Sequence, residues 1–111
     1  MSITTGNTIT RDVFLAFVRV QVLHHAAGAP VFGLELIEAL RRHGYAMSPG
    51  TLYPILHGLH QAGYLRSTGE VVNGKLRKYY VATAKGRIAL ADSRKKIREL
   101  VQEVLEEEAE N

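Results

Sequence analysis

The sequence contains five histidines, whose ring nitrogens could bind a metal ion, and no cysteine that could supply a sulfur ligand. His57 and His60 lie three residues apart, and His24 and His25 are neighbours that we expect to be partly buried in a helix. Zinc sites use three or four ligands, and no cysteine or pair of acids completes either set. No nucleophile, base and orienting group form a recognisable arrangement. We therefore expect no metal, no cofactor and no enzymatic activity.

Clustered basic side chains offer a different chemistry, the binding of phosphate. Lys75, Arg77 and Lys78 directly follow Asn73-Gly74, and a short hairpin does not need so many bases for its own stability. Residues 1–98 hold all 14 Lys and Arg against five acids, a formal charge of +9, while the last 13 residues hold six Glu and no base. A basic body suggests a polyanionic partner. The alternative is a solvated strand edge that its charges protect from pairing.

The stretch SPGTLYPIL, residues 48–56, combines helical spacing with residues that break helices. Ser48 suits the N-cap, and Pro49 suits the first helical position. An interior Gly50 costs about 1 kcal/mol and an interior Pro54 about 3 kcal/mol relative to alanine. We interpret both residues as shaping the helix surface for contact with a partner. Gly50 would let the helix N-terminus approach a phosphate closely.

The same helix has an apolar side and an outward side. Its apolar side chains follow the i, i+3, i+4, i+7 spacing of a helix packed on a core, namely Leu52, Ile55, Leu56 and Leu59. On the outward side of the helix lie Gly50, Thr51, Tyr53, Pro54, His57 and Gln61. From its residue type alone, Tyr53 would be a packed tyrosine with its hydroxyl in water.

Short turns separate the other predicted elements. We expect a first helix over residues 10–26 with Thr10 as its cap, after a flexible tail over residues 1–8, and a second helix over 31–42 that His43-Gly44 ends. The SPGT helix ends near Gly63. Asn73-Gly74 predicts a two-residue hairpin turn, which sets Val72 opposite Lys75, Val71 opposite Leu76 and Glu70 opposite Arg77.

A long last helix, capped by Thr83 and covering residues 84–108, carries an apolar stripe with nothing after it in the chain to cover it. The stripe comprises Leu90, Ile97, Leu100, Val101, Val104 and Leu105. It could fold back on the chain's own core, but a stripe of this length more often meets a second copy. We expect it to form a dimer interface.

The order of helix, helix, short turn, helix, hairpin and helix describes a winged helix-turn-helix. The fold class is thus mainly α with a small β-hairpin, in a single domain over residues 1–111. Residues 10–83 form the winged helix-turn-helix, and residues 84–108 form a C-terminal dimerisation helix. In this fold the helix after the turn enters the DNA major groove.

Two motifs resemble the PadR-like transcriptional regulators. SPGTLYPIL, followed by LHQAGYLRS, is similar to the family's hallmark, and GKLRKYYVATAKG at residues 74–86 is similar to its wing and the approach to its last helix. Gly33 and Glu35 in FGLE match a weaker motif. The resemblance covers roughly residues 16–90. It implies a dimeric winged-helix repressor of the short branch, with one C-terminal helix, and an effector site for small aromatic or multidrug-like molecules at the dimer interface.

We therefore predict a sequence-specific repressor that binds an inverted-repeat operator in double-stranded DNA as a homodimer. The predicted DNA-binding residues are Ser48, Gly50, Thr51, Tyr53, Pro54, His57, Lys75, Arg77 and Lys78. The alternative is a winged-helix protein-interaction module, an antirepressor or adaptor. Such a module would not need clustered Lys and Arg residues at its wing. No apolar run approaches 18 residues, and the start MSITTGNT does not resemble a signal peptide, so we expect a cytoplasmic protein without a membrane partner.

Overall fold

The first helix, α1, spans Ile3–Gly28 and supplies one wall of the core. The computed structural model describes residues 3–107, with side chains from Thr8 onward. Successive turns of α1 bury four side chains, those of Val18, Val22, Leu23 and Ala26. None of the described helices is long and apolar enough to cross a membrane.

The predicted start of α1 at Thr10 is wrong, since the helix begins at Ile3. Residues 3–8 of the predicted tail are helical, and residues 1–2 lie outside the described residues. No proline interrupts this segment, and the single glycine in it, Gly6, costs only about 1 kcal/mol in a helix. The helix therefore continues upstream without a strong local signal.

Two residues assigned to the second helix form a strand instead. β1, Val31–Phe32, pairs antiparallel with Tyr80 and Tyr79, because a β-branched and an aromatic residue fit an open sheet edge. The helix α2 then spans Gly33–Arg42. The backbone N–H of Phe32 donates to Glu35 Oε1 at 3.3 Å, which starts the helix at Gly33 and not at Val31.

The SPGT helix forms as the sequence predicts. α3 spans Pro49–Gln61 and buries its four predicted core residues, Leu52, Ile55, Leu56 and Leu59. Gly63, at φ +86°, ends it. Ser48 occupies the N-cap position, but its hydroxyl makes no hydrogen bond to the helix backbone and lies 3.5 Å from Thr51 Oγ1.

The hairpin has the predicted turn and register. β2, Leu65–Val72, and β3, Lys75–Ala82, flank Asn73 at φ +52° and Gly74 at φ +77°. Glu70 stands opposite Arg77, as predicted. The two-residue β1 joins the outer side of β3, so the sheet has three strands in the order β1-β3-β2.

The last helix begins at a tight joint with the end of α3. α4 spans Ala84–Leu100 and continues as a π-helical segment, Val101–Glu106. Thr83 caps it as predicted, accepting from the N–H of Gly86 at 3.0 Å. The Thr83 hydroxyl in turn donates to the carbonyl of Gly63 at 2.6 Å, and Lys85 Nζ donates to the carbonyl of Ala62 at 2.7 Å. The start of α4 therefore satisfies carbonyl groups that the end of α3 leaves free.

Leu90 belongs to the chain's own core and not to an exposed stripe. Its side chain is only 3% exposed, so its assignment to a dimer interface is wrong. The helical spacing of the stripe could not show that the first turns of α4 pack against α1, where Arg87 Nη2 donates to the carbonyl of Ala27. Leu90 joins a cluster drawn from all four helices and the sheet, which includes Val18, Val22, Leu36, Leu40, Leu52, Leu56, Leu65 and Tyr80.

Replacing Gly86 by alanine should destabilise the fold by about 1–3 kcal/mol, because the added Cβ would fall on the carbonyl oxygen of Tyr64. The contact would lie between two backbone segments, so no flexible side chain could move aside to make room for the added Cβ. Urea unfolding followed by circular dichroism measures the change.

Gly58→Ala is the matched control, since an added Cβ there meets no atom within 4 Å. Within α3 this change should raise stability by up to about 1 kcal/mol. Equal unfolding midpoints for Gly86→Ala and the unmodified chain would contradict the assigned contact.

Candidate nucleic-acid interface

The exposed side of α3 carries the polar positions that the sequence assigns to DNA. Pro54 and His57 are exposed, Thr51 is half-buried, and Tyr53 is 43% exposed. Ser48 and Gly50 lie exposed at the start of the helix. These positions therefore share one accessible surface, while the leucines of α3 hold the helix on the core.

The fold itself does not require a glycine at position 50. A Cβ added to Gly50 would have Ser48 Oγ, at 3.6 Å, as its nearest neighbour, which is an ordinary contact. The φ angle at Gly50 is not positive, in contrast to those of Gly44, Gly63 and Gly74. The space above the first turn of α3 is therefore open to an outside partner.

Tyr53 leans toward the start of α2 instead of pointing straight out. Its ring and hydroxyl cover the Cα of Gly33 so closely that a Cβ on Gly33 would stand 2.6 Å from Tyr53 Cζ. The pKa of Tyr80 is raised mainly by burial and secondarily by Tyr53. Tyr53 thus combines a packing role with partial exposure.

The three basic side chains of the wing differ in their exposure and contacts. Lys75 and Lys78 are exposed, whereas the guanidinium of Arg77 lies 4.2 Å from the centre of the Phe32 ring, a cation–π contact. Phe32 packs edge-on against Tyr79 with ring centres 5.6 Å apart. Among the described residues no ion pair joins Arg77 to Glu70, because the stack with Phe32 draws the guanidinium toward β1.

A groove of about 620 Å³ joins the wing to the helices. It lies between the tip of β3 and the starts of α2 and α3, and none of the described residues that line it is acidic. The predicted residues that it brings together are Tyr53, Lys75, Arg77 and Lys78. Sequence reasoning missed Phe32, Leu34 and Tyr80 in its walls, since the pairing of β1 with β3 was not predicted.

The histidines show no metal-binding arrangement. No group of three or more His, Cys, Asp or Glu among the described residues could hold a metal ion. His24 is exposed, contrary to the expectation, and its Nδ1 lies 3.0 Å from Arg94 Nη2. His25 is half-buried as expected, and burial, followed by the neighbouring His24, lowers its pKa.

A second accessible surface is apolar and lies along the C-terminal helix. Four of the predicted stripe residues are 37–60% exposed, namely Leu100, Val101, Val104 and Leu105, while Ile97 is half-buried. Ile97 lines a shallow groove with Phe17 of α1. Val13 and Ile9, one and two turns before Phe17, are also exposed. The apolar surface therefore includes a face of α1 that the sequence analysis did not assign to it.

Comparisons with known proteins agree on one family. The sequence model of the "Transcriptional regulator PadR-like family" matches residues 22–92. The chain is 50% identical over 95 residues to the transcriptional regulator Rv3488 of Mycobacterium tuberculosis, which covers 86% of this chain and 89% of that protein.

Solved structures show the same architecture. A PadR family transcriptional regulator from Eggerthella lenta superposes with a TM-score of 0.78 at 26% identity, covering 91% of this chain and 89% of that one. A PadR-like transcriptional regulator from Bacillus cereus has a TM-score of 0.76 at 25% identity, with coverage of 84% and 92%. By its two motifs, its winged-helix architecture and these relatives, the chain belongs to the PadR-like family of transcriptional regulators.

Proposed function

We propose that this regulator binds double-stranded DNA as a homodimer and represses transcription in the cytoplasm from an inverted-repeat operator. The observation that carries the proposal is the groove in which Tyr53 of α3 meets Lys75, Arg77 and Lys78 of the wing. The exposed side of a helix and a basic ribbon next to it match the two contacts that a winged helix makes, one in the major groove and one along the backbone.

Within this interface the side chains have different roles. Lys75 and Lys78 are exposed near a two-residue turn, and a flexible ammonium group in that position neutralises phosphate without reading bases. His57, on a well-packed helix, is suited to reach base edges. Arg77 is held over Phe32 and therefore has less reach toward a phosphate than the two lysines.

A second copy of the chain is the proposed cover for the apolar surface of α1 and the C-terminal helix. Apolar side chains such as Leu105, at 60% exposure, and Val13, at 46%, are costly to leave in water when they are contiguous. A two-fold dimer presents two equivalent α3 helices, so its operator would be an inverted repeat with half-sites about one helical turn apart, or a multiple of that. The dimer interface is also the proposed place for a small-molecule effector.

The competing hypothesis is a winged-helix module that binds protein without DNA. It leaves the exposed Lys75 and Lys78 without a role, whereas DNA binding gives both a partner. Retention on random-sequence DNA across a salt gradient separates the two hypotheses, because phosphate binding releases counterions and weakens steeply with salt.

Lys75→Ala and Lys78→Ala should each weaken binding to a specific and to a scrambled duplex alike. If each lysine neutralises one phosphate, each change lowers the slope of log affinity against log salt by about 0.9. Fluorescence anisotropy at several salt concentrations, with a duplex selected by the protein from a randomised pool, gives both slopes. A loss confined to the selected duplex would assign the lysines to base recognition instead.

His57→Ala should cost the selected duplex about 1–3 kcal/mol and leave the scrambled duplex nearly unchanged, because a base contact is lost and no phosphate contact is lost. His60→Ala, an exposed histidine one turn further along α3, is the matched comparison and should have the smaller effect. Equal weakening of both duplexes by His57→Ala would show that His57 contacts only the backbone.

Leu105→Glu should convert a micromolar dimer to a monomer, because it places a charge inside an apolar interface. Ile88→Glu is the matched control. Ile88 is 64% exposed on α4 but lies two residues before the buried Leu90, on the opposite side of the helix. Sedimentation velocity distinguishes the species, and an unmodified chain that sediments as a monomer at micromolar concentration would contradict the proposed dimer.

A further inference from the structure

A groove of about 340 Å³ lies between the end of α1 and α2. It shares no described lining residue with the groove at the wing or with the shallow groove beside Ile97. Its volume is within the range of small-molecule sites, which combine an apolar lining with a few polar groups. The groove is therefore a candidate ligand site that is separate from the proposed interfaces with DNA and with a second copy.

The floor of this groove is apolar. Val31, Leu36 and Ala39 contribute to its lining and are buried in the fold. Gly28 lines the groove at the end of α1, where an added Cβ would meet no atom within 4 Å, so the groove is open at this glycine. Such a floor suits a short aliphatic group, because its burial there removes apolar surface from water.

Two opposite charges of α2 line the groove without pairing. Glu35 lies in the first turn of α2, and Arg42 is its last residue. Among the described residues neither enters an ion pair, and Arg42 makes no side-chain hydrogen bond. Glu35 Oε1 accepts the N–H of Phe32 at 3.3 Å, which leaves Oε2 for a ligand. The neighbouring Glu38 and Arg41, by contrast, pair with each other at 3.4 Å.

Ala39 lies between these two charges on the same face of α2. Residues at i, i+4 and i+7 of a helix share a face, and Glu35, Ala39 and Arg42 have this spacing. The two charged residues are about two turns, or about 10 Å, apart along the axis. The small side chain between them leaves room for both long side chains to reach one molecule above Ala39.

The end of α1 adds partial negative charge to the groove. Gly28 and Ala29 line it at the carboxyl end of that helix, where free carbonyl groups favour a cation. Pro30 has no N–H, so the carbonyl of Ala26 lacks its α-helical donor. A positive group in the groove would therefore interact favourably with this helix end as well as with Glu35.

The histidines of the groove add hydrogen-bonding groups without adding a formal charge at neutral pH. Burial, followed by the neighbouring His24, lowers the pKa of His25, which keeps its ring uncharged. Arg94 Nη2 lies 3.0 Å from His24 Nδ1, and because a guanidinium only donates, this nitrogen accepts. Glu35 and Arg42 therefore leave the groove with one formal negative and one formal positive charge. A ligand with a carboxylate alone would be repelled by Glu35, and an amine alone would be repelled by Arg42.

The geometry points to a binding site for an aliphatic α-amino acid in its zwitterionic form. Arg42 binds the carboxylate, Glu35 binds the ammonium group, and the floor at Val31 and Leu36 contacts the aliphatic side chain. The carboxylate and the ammonium group are attached to one carbon, so the side chains of Glu35 and Arg42 converge over Ala39 to bind them. Such a ligand would be an effector that binds within one protomer, apart from the dimer interface.

The test uses the full-length ¹⁵N-labelled chain and three probes: L-leucine, isocaproate, which lacks the ammonium group, and isoamylamine, which lacks the carboxylate. Titration with leucine to about 50 mM should shift the amide signals of Gly28 and Ala39 in a saturable way. Leucine should bind about tenfold or more tightly than either fragment, because each fragment leaves one charge of the groove without its partner.

Charge-neutralising variants assign the two ends of the ligand. Arg42→Gln should weaken leucine binding about tenfold or more and abolish the preference for leucine over isoamylamine. Glu35→Gln retains an acceptor for the N–H of Phe32, and it should abolish the preference for leucine over isocaproate. Arg41→Gln and Glu38→Gln are the matched controls, since neither residue lines the groove, and both should bind leucine within about twofold of the unmodified chain.

An absence of saturable shifts with leucine, or equal weakening by the control variants, would overturn the site. Isocaproate that binds as tightly as leucine would show a site for anions only, and isoamylamine that does so would show a site for cations only. Either result would overturn the assignment to an amino acid. None of these measurements contains DNA, so a failure of the proposed DNA binding would not affect them.

Discussion

The approach of Gly86 to the carbonyl of Tyr64 is the contact on which the arrangement of the other elements depends. Residues 62–64 end α3 and lead into β2, and residues 83–86 leave β3 and begin α4. Three hydrogen bonds join these two short segments, since Thr83 N–H also donates to the carbonyl of Tyr64 at 3.1 Å. The helix with the exposed polar side, the wing and the helix with the apolar surface therefore all diverge from one point. A side chain at position 86 would separate them.

A second glycine contact connects α2 with α3. Tyr53 lies over Gly33, so the weaker FGLE motif and the SPGTLYPIL motif meet in space although 20 residues separate them in the sequence. This contact gives Gly33 a packing reason that its local sequence does not reveal. It also means that Tyr53 links the orientation of α3 to the start of α2.

Local signals predicted the local parts of the fold. The turn at Asn73-Gly74, the hairpin register, the cap at Thr83 and the buried face of α3 each depend on a few adjacent residues, and the structure confirms them. The failures concern long-range contacts. The pairing of β1 with β3 and the stacking of Arg77 on Phe32 each join residues about 45 or more positions apart in the sequence. The burial of Leu90 depends on a contact of similarly long range, the packing of α4 on α1. Helical periodicity could place Leu90 on an apolar face, but it could not show which partner that face meets.

The π-helical segment at the end of the chain has a consequence for how straight its apolar ridge is. Ile97, Val101 and Leu105 are spaced four residues apart, which is slightly more than one turn of α-helix, so a ridge of this spacing drifts around an ordinary helix. One helical turn of a π-helix contains more residues than one turn of an α-helix. A spacing of four residues therefore covers less than one π-helical turn. Over Val101–Glu106 the drift reverses, and the ridge stays on one side of the axis. Two such ridges can lie side by side without the supercoil that a long, regular α-helix would need.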